Sequence, residues 1–354
     1  MSYIWCDKDE QIQDWAPPVG PLYLDTEFMR DRTYWPRLAL VQAHDGDAIR
    51  LIDTTGVSAP VLGAVLTDRC LVMHSCSEDL EALQYFTGEC PEHIEDTQIA
   101  AALVGEDMQM SYQRLVEQQL GVALPKGATR TDWLRRPLSA EQLSYAEDDV
   151  KYLPEVTGRL RERLRALGRE AWWREECDRL VADVRRRGQG GEPWHAVKGA
   201  GVLQGEELAA LAALARWREE TARQRDLPRS FVLKDPVMLE LSQRRRLDRS
   251  TLQSLGLHPK LIQRDGERII ACLEQGRRET PPRPLPEPLA RSQRDQVKQL
   301  RDRVTAVAND LGLQPEVLVR RRWLEALVRD PESLPEPLRG WRREPVAEPL
   351  LEML

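Results

Sequence analysis

Residues 22–42 read LYLDTEFMRDRTYWPRLALVQ. LYLDTEF and RLALVQ are short β-rich runs with a polar stretch between them, the pattern of two strands. Inside the first run stand two carboxylates, Asp25 and Glu27. Carboxylates are almost never fully buried unless they are paired or hold a metal. Side chains two residues apart on a strand share a face. Asp25 and Glu27 therefore project together, while Leu24, Thr26 and Phe28 take the other side. Two such neighbours repel each other, and in a partly buried setting they stay ionised only with a cation between them. Hard oxygen ligands select Mg²⁺ or Mn²⁺. An edge strand with one solvated face carries the same D-x-E pattern, so the strand alone does not decide between the two.

Working outward, RLALVQAH and AIRLIDT read as strands, APVLGAVLTD as a helix and CLVMHS as a further strand. SEDLEALQYFTG reads as a helix with Ser77 as N-cap and Gly88 as its stop. EDTQIAAALVG, SYQRLVEQQLG and SAEQLSYAEDDVKYLPEVTGRLRERLRALG read as helices, the last opened by an S-x-x-Q capping box of Ser139 and Gln142. Three early strands, then helices interleaved with another strand, predict an α/β domain with a mixed sheet. The tract RRRGQGG, residues 185–191, breaks the pattern and reads as a linker. Residues 202–280 are helical throughout, ETPPRPLPEPLA is a Pro-rich spacer, and residues 289–354 are helical again. The predicted organisation is an α/β domain over 1–190 and two small all-α domains over 202–280 and 289–354.

A chain of 354 residues has room for two or three domains. Its 41% hydrophobic and 31% charged residues suit a soluble globular protein, and no apolar run nears the ~18 residues of a membrane span. The opening MSYIWCDKDEQ lacks the basic and apolar regions of a signal peptide. The six cysteines are scattered, with no C-x-x-C pair, so a zinc site is disfavoured and reduced thiols in cytoplasm are expected. The net charge of −7 conceals an asymmetry: residues 1–155 carry a net of −15 and the remainder +8. An acidic half suits bound metal cations and a basic half suits a polyanion, although each half can equally have its own solvated surface.

Two further elements bear on the carboxylates. In HSCSEDLEAL, Asp79 lies one turn into a helix that follows a strand; complementing the helix N-terminus is the ordinary use of such an acid. In LSYAEDDVKYL, Tyr145 and Asp149 are four apart and share a helix face, as they also would on a plain amphipathic helix. Each element alone is weak. Together, four carboxylates converging on two divalent cations are what phosphodiester hydrolysis needs.

The D-x-E strand, the helical Asp79 and the Y-x-x-x-D of Tyr145 and Asp149 resemble the three exonuclease motifs of the DEDD superfamily, tyrosine branch. The longer strings LDTEFMRDRTYWPRLALVQ, LVMHSCSEDLEAL, IEDTQIAAAL and PKGATRTDWLRRPLSAEQLSYAEDDVKYL resemble the ribonuclease D family within it. The segment from Gly205 to Gly276, with WREETARQRDLPRSFVLKD, resembles an HRDC domain, and residues 289–354 resemble a second, degenerate copy. The related histidine branch has a His five residues before the last Asp; here that position is Ser144. The resemblance implies a ribonuclease H-like exonuclease fold followed by two HRDC-type domains. It implies a metal-dependent 3′→5′ exoribonuclease releasing nucleoside 5′-monophosphates, acting in maturation of tRNA precursors and other small structured RNAs. Asp25, Glu27, Asp79 and Asp149 would hold two ions, Mg²⁺ or Mn²⁺, and Tyr145 would position the attacking water. A monomer is expected.

Substrate contacts are read more loosely. Phe28 and Met29 follow the D-x-E directly and could meet the terminal base or sugar, or pack in the core. Lys126 and Arg130, in PKGATRTDW, could bind a phosphate or sit in a solvated loop. In the first helical domain Arg216, Arg218, Arg223, Arg225, Arg229, Lys234 and Arg244–Arg246 are candidates for RNA contact. A DNA-directed exonuclease of the same fold and a non-enzymatic nucleic-acid scaffold are the rival readings. The scaffold's mark would be a missing carboxylate, and none is missing.

Overall fold

The computed structural model describes residues 3–15, 20–125, 127, 131–189 and 191–354. Its sheet has six strands: β1 (Tyr3–Cys6), β2 (Leu22–Met29), β3 (Arg37–His44), β4 (Ile49–Asp53), β5 (Cys70–Met73) and β6 (His93–Asp96). Their order is β1-β4-β3-β2-β5-β6. The β4-β3-β2 segment is antiparallel, and the outer pairs β1–β4, β2–β5 and β5–β6 are parallel. The sheet is mixed, with β2 at its centre.

Among the described residues eight helices complete this part: α1 (Asp9–Gln13), α2 (Ala59–Leu66), α3 (Ser77–Thr87), α4 (Thr97–Leu103), α5 (Tyr112–Leu120), α6 (Ala140–Lys151), α7 (Leu153–Ala166) and α8 (Glu170–Gln189). The remaining helices are α9 (Gly205–Arg225), α10 (Arg229–Val232), α11 (Asp235–Gln243), α12 (Arg249–Ser254), α13 (Pro259–Gly276), α14 (Arg291–Leu311), α15 (Pro315–Leu318), α16 (Arg321–Arg329) and α17 (Glu348–Leu351).

Four local readings are revised. The edge strands β1 and β6 are only four residues each, too short to stand out in the sequence, as edge strands often are. The long helix read over 139–168 is two, α6 and α7, broken at Tyr152 just before Pro154. Proline lacks an N–H and belongs in a first helical turn. The cap of α3 is Cys76, with Ser77 its first helical residue, while Gly88 ends the helix at φ 85° in the left-handed region. The tract read as a linker begins as helix, because α8 runs on to Gln189.

The chain forms two compact units. The first holds Met1–Met29, Arg37–Arg185 and Leu289–Leu354; the second holds Arg30–Pro36 and Arg186–Pro288. In the first, residues 289–354 share one hydrophobic core with the α/β part. Trp341 stacks on Trp172 with ring centroids 4.3 Å apart, and Arg342 pairs with Glu176. Gln314 donates to the Asp107 carboxylate at 3.0 Å. In the second unit α9 is the central helix, packed against α13 and α11. Segment 30–36 is anchored there: the amides of Tyr34 and Trp35 both donate to Asp226 Oδ1 at 3.0 Å.

Candidate active site

β2 carries Asp25 and Glu27 on one face at the centre of the sheet, both half-buried. A bulge falls at this point: Glu27 pairs with Leu40 and Phe28 with Leu38, so Ala39 is extra on β3. Bulges add twist and are frequent beside active sites. Helix α6 packs on β2, β3 and β4 and brings Tyr145 and Asp149 over the strand. One oxygen each from Asp25, Glu27 and Asp149 lie within 4.8 Å of one another. Asp149 is 7% exposed, and its Oδ2 is buried without a hydrogen-bond partner among the described residues.

Asp79 stands in a different position. Its Oδ1 accepts a hydrogen bond from Thr26 Oγ1 at 2.5 Å, and it is outside the group of three. Its charge nonetheless acts on Asp25, Glu27 and Asp149. The turn that starts α3, and so aims Asp79, is held from β6. Asp96 accepts from the amides of Ser75 and Cys76 at 3.1 and 2.9 Å and from those of Gln98 and Ile99 at 2.8 and 3.2 Å. One carboxylate thereby joins the entries of α3 and α4.

Burial dominates the electrostatics. With no cation between them, burial and then the charges of Asp149 and Asp79 push Glu27 up to about 9. Burial raises Asp149 to about 8 and Asp79 to about 6. Asp25 is raised well above the carboxylate range, by burial first and then by Asp149, Asp79 and Glu27. Four acids crowded to this degree need positive charge to ionise. An all-carboxylate donor set with an unpartnered buried oxygen fits hard divalent cations. Asp25, Glu27 and Asp149 are the residues that could hold one, with Asp79 beside them.

Burial, followed by the charges of Asp149, Glu27 and Asp25, raises the Tyr145 phenol above the ordinary value. It stays protonated at working pH and can orient a water rather than take its proton. The ring is fixed on two sides. Trp133, 1% exposed, lies with its ring centroid 6.2 Å away. A Cβ added to Gly127 would fall 1.6 Å from Tyr145 Cδ2. The φ of Gly127 is outside the left-handed region, so the ring alone demands glycine there. Arg136 secures Trp133 by donating to its carbonyl at 2.6 Å, to Ala39 O in the bulge at 2.8 Å, and to both oxygens of Asp53 at 2.5 Å.

Gly127, Asp96, Thr26 and Arg136 were not singled out from the sequence. Thr26 entered only as a residue of the opposite strand face, and Gly127, Arg136 and Asp96 only within the strings PKGATRTDWLRRPLSAEQLSYAEDDVKYL and IEDTQIAAAL. Phe28 and Met29 are half-buried and pack against the main core. Lys126 and Arg130 lie outside the described residues.

Comparison with known proteins fits this geometry. A family model described as 3′-5′ exonuclease matches residues 3–165, and an HRDC domain model matches residues 207–273. Ribonuclease D of Pseudomonas paraeruginosa is 39% identical over 98% of this chain and 94% of its own. The chain belongs to the ribonuclease D family. Ribonuclease D of Escherichia coli is 35% identical, with 100% of this chain and 99% of that protein covered. The crystal structure of Escherichia coli RNase D, described as an exoribonuclease involved in structured RNA processing, matches with a TM-score of 0.89. It is 33% identical over 100% of this chain and 99% of that one. Family membership makes this chain a hydrolase of the 3′→5′ exoribonuclease type. Among the described residues no helix is long and apolar enough to cross a membrane.

Proposed function

We propose that this protein removes nucleotides one at a time from the 3′ end of RNA as nucleoside 5′-monophosphates, by a two-metal mechanism. Its substrates are tRNA precursors and other small structured RNAs with single-stranded 3′ tails. The observation that carries the reading is the trio of carboxylate oxygens within 4.8 Å, on a strand that helix α6, bearing Tyr145 and Asp149, packs against.

In this reading Asp25, Glu27, Asp79 and Asp149 hold two divalent cations, Mg²⁺ or Mn²⁺. When bound, such ions acidify the attacking water and offset charge on the departing 3′ oxygen. The remaining work falls to the chain. The protonated Tyr145 hydroxyl lines up the water with the scissile phosphorus, worth about 10²-fold or more for a well-placed group. Trp133 and Gly127 hold the ring, and with it the hydroxyl, in place. Phe28 and Met29, next to Glu27, meet the terminal base or sugar. Lys126 and Arg130 contact phosphate. All six cysteines are free thiols, which suits a monomer working in the reducing cytoplasm.

The test is a 5′-labelled RNA hairpin with a short single-stranded 3′ tail, incubated with Mg²⁺, Mn²⁺ or EDTA, beside its DNA counterpart and the Asp25→Ala variant. A ladder shortening from the 3′ end that requires both metal and Asp25 is the expected result. RNA left intact in every arm while still bound would turn the reading to a non-enzymatic scaffold. Faster loss of the DNA would make the enzyme a deoxyribonuclease.

A further inference from the structure

The cationic residues of the two units are used differently. In the second unit, six of the arginines that look like RNA contacts in the sequence are engaged internally, while Lys234, Arg245 and Arg246 are exposed. Arg216 pairs with Glu279, Arg218 with Asp235, Arg225 with Asp265, Arg223 and Arg229 with Glu219, and Arg244 with Glu240. In the first unit, α14 carries Arg294, Lys298 and Arg301, all exposed, at the i, i+4, i+7 spacing that aligns side chains on one helix face. None of the three forms an ion pair among the described residues. Like charges at this spacing repel, and Asp295 and Asp302, three before and four after Lys298, answer only part of the row.

The row borders a groove of about 840 Å³ between α14, α15 and α16. Val297, Val304, Val319 and Leu324 give it an apolar floor, and Arg320 and Arg321 stand on the opposite wall. Arg320 lies over the Trp323 ring at 5.7 Å, whereas Arg321 is paired with Glu325. Two acids, Asp302 and Glu316, also line the groove. Five cations against two acids leave a positive channel with apolar walls. A phosphodiester chain has that chemistry, charged along its backbone and apolar on its base and sugar faces. Because α14–α16 belong to the same compact unit as the acidic site, RNA held there is held by the catalytic body itself.

We infer that the α14–α16 groove, with Arg294, Lys298 and Arg301, is a backbone-binding site for single-stranded RNA. The inference rests on the exoribonuclease reading for its polyanion. It adds the C-terminal helices to the HRDC segment as a place where RNA is held.

The test uses the full chain in EDTA, so that RNA is bound and not cut. Affinity for an unstructured 5′-labelled RNA of about a dozen nucleotides is measured over a range of salt for the wild type, for Arg294→Ala/Lys298→Ala/Arg301→Ala and for Lys298→Glu. All three positions are exposed, and melting curves check folding. The triple variant is expected to bind at least about tenfold more weakly at low salt, with its log–log salt slope reduced by about two units for three lost contacts to a single strand. Lys298→Glu is expected to weaken binding several-fold. Wild-type slope and affinity in both variants would overturn the site. Polyglutamate bound as tightly as RNA, and weakened equally by the variants, would assign the face to an acidic protein segment and overturn it too. Hydrolysis of a dinucleotide by the wild type with Mg²⁺ tests the exoribonuclease reading separately. A wild type that neither cleaves nor binds RNA removes both.

Discussion

Glu27 and Glu219 are the same residue in opposite surroundings. Glu27 is packed among Asp25, Asp79 and Asp149, and burial with those charges lifts it to about 9. Glu219, in the second unit, accepts hydrogen bonds from Arg229, Tyr34 and Arg223. Those partners outweigh its burial and pull it down to about 2. Asp265 behaves likewise, lowered to about 2 mainly by Arg225, which grips it through two bonds of 2.8 and 2.7 Å. Solvent access alone does not set the sign, since Asp149 and Asp265 are 7% and 1% exposed. The supply of positive charge does. Around Glu219 and Asp265 the second unit provides it from its own arginines and stores it as stability, while the acidic site of the first unit leaves it to be supplied.

Neutralising a carboxylate should therefore have opposite effects in the two places. Asp149→Asn is expected to lower turnover by at least about 10³-fold, as loss of a buried charge aimed at the reaction does. In EDTA the same change should raise the melting temperature by about 2–4 °C, because roughly 1 kcal/mol of repulsion is relieved. A fall in melting temperature would mean that the acids are not in conflict.

Gly127→Ala moves no charge and tests whether geometry or acidity governs Tyr145. Turnover should fall about tenfold or more with little change in RNA affinity, since small displacements of a positioning group are costly. Added to Tyr145→Ala, the change should do nothing further, because the clash partner is gone. Additive losses would show that Gly127 acts elsewhere.

Glu219→Gln is expected to destabilise the second unit by about 1–2 kcal/mol, seen in denaturant unfolding. That is less than the ~3–5 kcal/mol of a fully buried pair, because the Arg229 side chain is 48% exposed. A neutral result would mean that the arginines re-pair without it.

The smallest effect is in pH. The raised acids of the first unit bind protons in the metal-free fold that the unfolded chain has released. Stability in EDTA should therefore fall as pH rises from the ordinary carboxylate range through about 8 and on to about 9, the Asp149 and Glu27 values. Added Mg²⁺ should raise the melting temperature more at about pH 8 than at about pH 5. Glu219 and Asp265 work the other way: their contribution is present above the ordinary carboxylate range and is lost as pH falls toward about 2. A metal shift independent of pH would count against displaced protons at the site.

Much of this protein was legible in its residues. The period-two placement of Asp25 and Glu27 and the i, i+4 placement of Tyr145 and Asp149 are local, and local periodicity survives folding. So are the capping box of Ser139 and Gln142 and the Gly88 stop. The groups that aim the site were not legible. Asp96 reaches back 20 residues to Cys76, Thr26 meets Asp79 across 53, and Arg136 meets Asp53 across 83. No spacing rule connects such pairs. The same holds for the arginines: Arg216 and Arg294 look alike in sequence, and only packing shows that Glu279, 63 residues on, has already taken the first.

The sequence by itself thus determined the kind of chemistry, because carboxylates at strand and helix periods share a face whatever surrounds them. It determined the alternation of strand and helix for the same reason. Tertiary structure alone decided which charges are answered within the chain and which are left open. That depends on partners distant in sequence, and desolvation, which gives each unanswered charge its weight, exists only once the chain has folded around it.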